Sequence, residues 1–578
     1  MNRFVKIPAN IFHETLIVIF YVILVHAFIG NVDEKFIGDG KGYYEYLPSI
    51  FLYHDLVRKD LSHSENPQVY RRTDNTGMYV PYKDHTVNMY PCGTALLEFP
   101  FFMATYQISR LKGAEVDGYG LPFQRSVYYA ALFYVFLSLI FLKKVLLTYR
   151  IKPGIITFCQ FLMVLATPVT IYANKEAGFS HVYSLFAITA LIYYIRSFFM
   201  FEKGRDLILA AILLGLVSIL RQVNLMIILF VPFLSGSRDR LATVIGNLLR
   251  NYRILILALV SFLAVFAVQA VMWYLQTGDF LLYSYQGYGF NFLDPQFFKI
   301  LFGYRKGLFV YTPVLFLAFL SVVRLVFLRR YFLVLTWMGF FIFLTYILSS
   351  WFSWYYGASY GLRAYIDYFA VFFIPFAIFL NESGRFLKGS VMALSILTVP
   401  LNIIQTYQYR HYILHNSEMN REKYWRVFLR TDRQFMGLLY KTAVHMEDFE
   451  LVDERTAADL RVLPGKQEVI FQAGSSDIVD FSEVCLVRVS LVNDFNQKND
   501  TRIGLIITDR EGSETLYYQR LYLIHFADGE LGRQQTGTGN YLLEPFKDGS
   551  GKRIILQCFP GRESTELRDI RIRFFRKK

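Results

Sequence analysis

Long apolar runs separated by short polar or basic stretches fill the first 410 residues of the chain. A helix that crosses a bilayer needs about 20 predominantly apolar residues. The runs at 12–30, 125–147, 154–173, 179–200, 206–220, 223–234, 253–275, 307–328, 331–350, 364–380 and 387–407 predict about 11 spans, within a range of about 11–13. The pair 206–220 and 223–234 is short for two full crossings. It predicts two segments that meet in a protein-lined recess, where irregular backbone at membrane depth is tolerated. The run 92–108 is apolar but ambiguous, and the basic loops decide how to read it. With the N-terminus inside and 92–108 re-entrant or interfacial, Lys143, Lys144, Arg150 and Lys152, then Lys203 and Arg205, then Arg238, Arg240, Arg250 and Arg253, then Arg324, Arg329 and Arg330, and finally Arg385 and Lys388 all fall inside, as the positive-inside bias requires. This topology puts a large loop at 31–124, the loops 174–180, 276–306 and 351–363, and everything after about 408 on the outer side.

The pattern changes beyond residue 408. Residues 410–455 read as a helical linker after a membrane domain of residues 1–409. From 456 to 578 short runs alternate between apolar and polar positions: Glu468–Ala473, Cys485–Val492, Arg502–Thr508, Leu516–Phe526, Arg553–Cys558 and Asp569–Phe575. In the last run Ile570, Ile572 and Phe574 alternate with Arg571 and Arg573, the period of a half-buried strand. Asp528-Gly529 and Asp548-Gly549 are turn signals. The fold class is therefore a polytopic α-helical membrane protein with a C-terminal extracytoplasmic β-sandwich.

Composition agrees: hydrophobic residues make up 54% of the chain and charged residues 18%, with 56 Phe and 42 Tyr. A net charge of +14 raises the question of nucleic acid, but most basic residues of the membrane domain sit in the short loops and no nucleic-acid-binding motif accompanies them. A cleaved signal peptide is the weaker reading of the N-terminal run, since no small-residue cleavage site follows it. Cys92, Cys159, Cys485 and Cys558 form no CxxC pair, so no zinc or redox motif is indicated; a Cys485–Cys558 bridge stays open.

Candidate chemistry gathers on the outer segments. The first loop opens Phe36-Ile37-Gly38-Asp39-Gly40-Lys41-Gly42-Tyr43-Tyr44, an acid among glycines and tyrosines just beyond the first span. Glycine lets backbone approach a ligand closely, tyrosine offers hydroxyls and flat faces for sugar rings, and Asp39 is placed to act as general base; the bland alternative is a solvated loop carboxylate. Glu176 and His181 flank the second outer loop. Arg221 lies between the two short apolar segments, and an arginine at membrane depth is costly, by about 2.5–3.5 kcal/mol, and functional by default. Arg305 and Lys306, in Gly303-Tyr304-Arg305-Lys306-Gly307, and Arg363, which closes an aromatic loop containing Tyr360, are basic residues on the side where the charge rule disfavours them. Binding a lipid pyrophosphate or phosphate is one explanation for them.

The segments Gly38-Asp39-Gly40 with Tyr43-Tyr44 and Leu47-Pro48, Tyr90-Pro91-Cys92-Gly93, Gly178 to Ser184, Arg305 to Pro313 and Gly357 to Arg363 resemble those of the GT-C superfamily of integral-membrane glycosyltransferases. The likeness is to protein mannosyltransferases and the lipid A aminoarabinose transferase, and most of all to Bacteroidetes-type bacterial members, over roughly residues 1–410. The resemblance implies a polyprenyl-phosphate sugar as co-substrate and a glycan, lipid or protein acceptor. It implies inversion at the anomeric carbon with Asp39 as catalytic base. Arg221, Lys306 and Arg363, with Arg305 and Lys41 behind them, would bind the donor phosphate, and Tyr43, Tyr44, Glu176, His181 and Tyr360 the substrates. No DxD motif or His/carboxylate cluster marks a cation site, so no metal cofactor is expected. The site and the C-terminal domain would face the periplasm from a bacterial cytoplasmic membrane. Gly40 follows Asp39 where many relatives carry a second acid, and Tyr90-Pro91-Cys92 replaces the Lys-Pro-Pro of the aminoarabinose branch, which speaks against that sugar.

A transporter or flippase of a lipid-linked glycan shares the many spans and the polar cavity, but the chain lacks the paired halves usual in transporters. An O-antigen ligase or polymerase is chemically close, acting on a pyrophosphate-linked oligosaccharide. A non-enzymatic assembly scaffold leaves the outer cations without a role.

Overall fold

The computed structural model describes residues 11–29, 38–57, 78–114, 116–440, 444, 446–464, 467–474, 482–495, 501–509, 515–527, 533–543, 546, 552–560 and 564–578. Phe36, Ile37 and the turns Asp528-Gly529 and Asp548-Gly549 lie outside them. The chain divides into two compact units, Met1–Tyr407 and Gln408–Lys578.

The first unit is a multi-pass helical membrane domain. Seven helices among the described residues are long and apolar enough to cross a bilayer: Phe12–Ile29, Leu121–Thr148, His181–Phe201, Tyr252–Thr277, Tyr331–Ser349, Arg363–Glu382 and Arg385–Arg410. The other expected spans are shorter or broken, each for a local reason. The run 154–173 forms Pro153–Leu165 and then, past Pro168, only Val169–Tyr172. The run 307–328 divides into Leu308–Tyr311, Pro313–Leu320 and Val323–Phe327. Pro313 forces Thr312 out of the helical region, to φ −138° and ψ 64°, because its ring crowds the preceding residue. The short pair is Gly204–Leu220 followed by the tight 3₁₀ turn Gln222–Phe230, with Arg221 in extended conformation between them. The ambiguous run is one helix, Gly93–Leu111, and it is not among the seven.

The helices differ in what they face. Arg363–Glu382 is almost wholly enclosed, with every residue from Phe369 to Ile374 buried. Tyr252–Thr277 exposes Ile256, Leu257, Leu259, Val260 and Leu263, an apolar surface that suits lipid contact. The sequence pattern did not reveal a hairpin in the first loop, β1 (Tyr79–Tyr82) and β2 (His85–Asn88). It is pinned to the end of Tyr252–Thr277, where Gln276 Oε1 accepts from Asn88 N at 2.9 Å.

The second unit is a β-sandwich. One sheet runs β5 (Glu468–Gly474), β10 (Lys552–Phe559), β7 (Arg502–Asp509), β8 (Thr515–Tyr522). The other runs β3 (Phe449–Ala457), β11 (Thr565–Lys577), β6 (Val484–Asn493), β9 (Gln535–Leu542), with β4 (Leu460–Val462) also on β11. All strand pairs are antiparallel. Val487, Val489 and Leu491 of β6, Ile572 and Phe574 of β11, Ile503, Leu505 and Ile507 of β7 and Ile554 and Leu556 of β10 share one core, as alternation along the strands dictates. Strands β3, β4 and β9 escaped the sequence pattern: β3 has no fully buried residue and β9 carries two glycines. Cys485 and Cys558 are both buried and free, so the bridge left open above is absent.

Candidate functional site

Asp39 begins the short helix Asp39–Tyr44. The residue before it, Gly38, has φ +49°, a left-handed conformation glycine adopts without penalty. Gly42, one turn on, lies under the Tyr90 ring; a Cβ there would sit 2.2 Å from a ring carbon. The missing side chain lets Tyr90 lie across the helix and donate to Asp39 Oδ1 at 2.9 Å. Arg363 Nη1 pairs with Asp39 Oδ2 at 2.8 Å, its guanidinium 5.2 Å from the centre of the Phe179 ring. Burial pushes the Tyr90 phenol well above the usual tyrosine range, and the nearby Asp39 charge adds to the shift. Tyr90 therefore stays protonated and donates.

A second ion pair stands on the same wall. Arg221 Nη1 pairs with Asp367 Oδ2 at 2.8 Å. Asp367 Oδ1 is 2.8 Å from His181 Nδ1, and Asn224 Nδ2 donates to Oδ2 at 2.7 Å. The Asn224 amide is oriented in turn by the Tyr368 hydroxyl, 2.9 Å from its Oδ1. Arg221 reaches this point because the chain is extended between two helical segments, and Asp367 because it lies on the 3₁₀ turn Arg363–Tyr368. That one turn carries a member of each pair.

Asp39, Tyr43, Tyr90, His181, Arg221 and Arg363 line a cavity of about 650 Å³. Much of its remaining wall is aromatic: Tyr283, Tyr285, Tyr288 and Phe290 from one loop, Trp351, Phe352, Tyr355 and Tyr356 from another. The two loops are joined by backbone bonds, Phe352 N to Gly289 O at 3.0 Å and Asn291 N to Ser350 O at 2.6 Å. Tyr288 stacks on Phe352 at 4.8 Å and Trp351 meets Phe290 edge-on at 4.9 Å. A few charged groups on one side and flat apolar faces on the other suit a ligand that is part anion, part sugar or lipid.

No family model matches the sequence, and no curated protein matches it. In structure the chain is similar to the archaeal oligosaccharyltransferase AglB from Archaeoglobus fulgidus in complex with an inhibitory peptide and a dolichol-phosphate, with 12% identity, a TM-score of 0.36, and coverage of 69% of this chain and 55% of that one. The apo form of the Archaeoglobus fulgidus oligosaccharyltransferase gives 11% identity and a TM-score of 0.39 over 72% of this chain and 58% of that one. The arabinosyltransferase EmbB from Mycobacterium smegmatis gives 9% identity and a TM-score of 0.36 over 98% of this chain and 64% of that one. The chain thus spans 55–64% of the length of these solved chains. At so low a similarity, function has to be read from the cavity's own residues.

Of the residues the sequence singled out, Asp39, Tyr43, His181, Arg221 and Arg363 meet in the cavity. Lys306 does not join them, which corrects the expected convergence. It is buried and donates to the Ser359 carbonyl, fastening the aromatic loop from behind. Burial holds its ammonium well below the usual lysine range, against the pull of the Glu176 charge. Glu176 is likewise buried and is not on the cavity wall. Arg305 lies over the Tyr355 ring at 3.4 Å, so it touches a cavity residue from outside. Lys41 is half-buried and off the wall. Tyr44 donates to Gly118 O at 2.6 Å, and the Tyr360 hydroxyl meets Asn402 Oδ1 at 3.1 Å and Gln405 Oε1 at 3.2 Å; both tyrosines brace the fold rather than face the cavity.

Asp367 and Tyr90 were missed as site residues. Asp367 carried a readable signal: it is the one acid in the apolar run 364–380, and an ionisable residue at membrane depth is a functional candidate by default. Tyr90 stood within the resembling segment Tyr90-Pro91-Cys92-Gly93, but only folding brings its hydroxyl to Asp39. Among the described residues no group of three or more His, Cys, Asp or Glu side chains is placed to hold a metal ion.

Proposed function

We propose that the chain is a membrane glycosyltransferase. It takes a sugar from a polyprenyl-phosphate donor and passes it to an acceptor hydroxyl at the outer face of a bacterial cytoplasmic membrane. The observation that carries this reading is the gathering of one cavity-facing carboxylate, Asp39, and two guanidinium groups, Arg363 and Arg221, in a single aromatic-walled cavity. The motif resemblance to the GT-C superfamily supports it.

The chemistry follows from the layout. The acceptor hydroxyl attacks the anomeric carbon, its proton passing to Asp39. The bond from that carbon to the phosphate oxygen breaks, its electron pair staying on the phosphate, and the configuration inverts. Each carboxylate oxygen accepts two hydrogen bonds. Tyr90 and Arg363 use one on each oxygen, which orients the carboxylate and leaves capacity for the hydroxyl. Arg221 and Arg363 stabilise the charge that grows on the leaving phosphate, fixed in place before the reaction begins. The carboxylate has Arg and Tyr as its partners, and the reaction is proposed to run without a metal cofactor.

Asp39→Asn, with normal expression and membrane insertion, should lower transfer by about 10²–10⁴-fold. In cells the unused lipid-linked sugar should accumulate, and mass spectrometry of lipid extracts reads both its amount and its sugar. Unchanged transfer removes Asp39 from its role. Sugar transport without transfer would favour the flippase alternative.

A further inference from the structure

The proposed reaction leaves one feature of the cavity unused. Asp367 is fully buried, its side chain 0% exposed, and three donors converge on it. A carboxylate paired with a guanidinium only accepts hydrogen bonds, so the hydrogen between Asp367 and His181 sits on Nδ1. In the neutral ring this leaves Nε2 as a bare acceptor. His181 lines the cavity, and both of its described hydrogen-bond contacts are at Nδ1. Two further contacts fix the ring plane: Tyr172 edge-on at 5.1 Å and Phe179 stacked at 6.4 Å. Arg221, on the other oxygen of the same carboxylate, also lines the cavity. Its Nη1 lies 3.5 Å from His181 Nδ1, so the guanidinium and the imidazole are immediate neighbours.

We propose that Asp367 is a positioning residue that sets a phosphate-binding guanidinium and a hydroxyl-accepting imidazole side by side. Arg221 takes the phosphate of the donor and His181 Nε2 takes a hydroxyl of its sugar. The inference rests on the glycosyltransferase reading and adds the division of labour within the donor site. The chemistry dictates the division: a bare ring nitrogen repels a phosphate oxygen, lone pair against lone pair, but receives an O–H. A guanidinium offers only N–H donors and suits the anion. A glycosyl phosphate presents an anion and ring hydroxyls on one small scaffold. A polar acceptor built to receive a hydroxyl also discriminates, since a ligand lacking that hydroxyl leaves it unpaired.

The test uses the full chain in detergent with farnesyl phosphate as probe and farnesol as the uncharged control. Arg221→Gln and Asp367→Asn should each weaken farnesyl phosphate binding about tenfold, in line with a lost charge-assisted bond, while farnesol binding is unchanged. His181→Gln should hold farnesyl phosphate within about twofold of wild type, yet accumulate lipid-linked sugar in cells as a deletion does. The ¹⁵N spectrum of histidine-labelled protein, with His181→Gln identifying the signal, should give the Nδ1–H tautomer. The proposal is overturned by an Nε2–H tautomer, by equal loss of farnesyl phosphate in His181→Gln and Arg221→Gln, by full binding in folded Asp367→Asn, or by His181→Gln cells without accumulation. Thermal melting in the same detergent separates a misfolded variant from a folded one that no longer binds. A deletion strain that accumulates no lipid-linked sugar would count against the transferase reading itself, whereas the binding and tautomer results judge Asp367 independently.

Discussion

Two arginine–aspartate pairs stand on the cavity wall, equal in length and opposite in layout. Both close at 2.8 Å. In Arg363–Asp39 the carboxylate is the more exposed partner, 27% against 12%. In Arg221–Asp367 the carboxylate is sealed at 0% and the guanidinium, at 14%, is the member that reaches the cavity. The same ion pair thus serves two ends. In the proposed reaction the acid that faces the cavity takes a proton and its arginine orients it, while the acid that lies behind aims its arginine. Position in the wall, rather than the kind of pair, assigns the role.

Three substitutions put this contrast to the test, and a pH series with a fourth substitution probes the segment beside it. The largest effect belongs to the exposed acid: Asp39→Asn should lower transfer by about 10²–10⁴-fold, the range of a lost general base, with the melting temperature near wild type. The sealed acid should behave in the opposite way. Asp367→Ala strands a buried guanidinium, and breaking a buried pair costs about 3–5 kcal/mol, so its main signature should be a lower melting temperature in detergent. If the two variants gave the same balance of activity and stability loss, the contrast would fail. Next comes the geometry of the exposed pair. Gly42→Ala drives a methyl into the Tyr90 ring and should displace the Tyr90 hydroxyl from Asp39, lowering transfer by up to about 100-fold in a folded protein; transfer within about twofold of wild type would show that Tyr90 does not orient the base.

The smallest effect lies away from the cavity wall, where Lys83 and the Tyr82 hydroxyl both meet Asp279 Oδ2, at 2.6 and 2.8 Å, and fasten the hairpin to the loop that carries Tyr283. Those two bonds hold the Asp279 carboxyl below its usual range. A depressed carboxylate contributes stability that is present above its unfolded value, about 3.9, and is lost as the pH falls through the lower folded value. Protection of the hairpin amides, the exchange rate relative to the intrinsic rate at each pH, should therefore be steady from neutrality down to about pH 4 and fall only below it. The Lys83→Met variant should show the lower protection throughout, and unchanged protection in that variant would remove the clasp from the account.

Part of the site was legible from local spacing. Asp39 stands out as an acid ringed by glycines beyond the first span, and Arg221 and Arg363 as cations where apolar or outer sequence disfavours them. Lys306 gave the same signal as Arg363 and turned out to support the loop from behind, since charge in a sequence does not say which way a side chain points. His181 was legible as a titratable group, but its partner is Asp367, 186 residues away, a separation that spacing cannot bridge.

Hydrophobic periodicity alone dictates that apolar stretches of membrane length build the first unit and that alternating runs build a sandwich after it, because that periodicity is a local property of the chain. Folding settles the rest: which carboxylate faces the cavity and which is buried, how prolines and an extended Arg221 break the expected spans, and that Gly42 opens the space through which Tyr90 reaches Asp39. These depend on which distant surfaces pack together, and packing is a property of the folded chain as a whole.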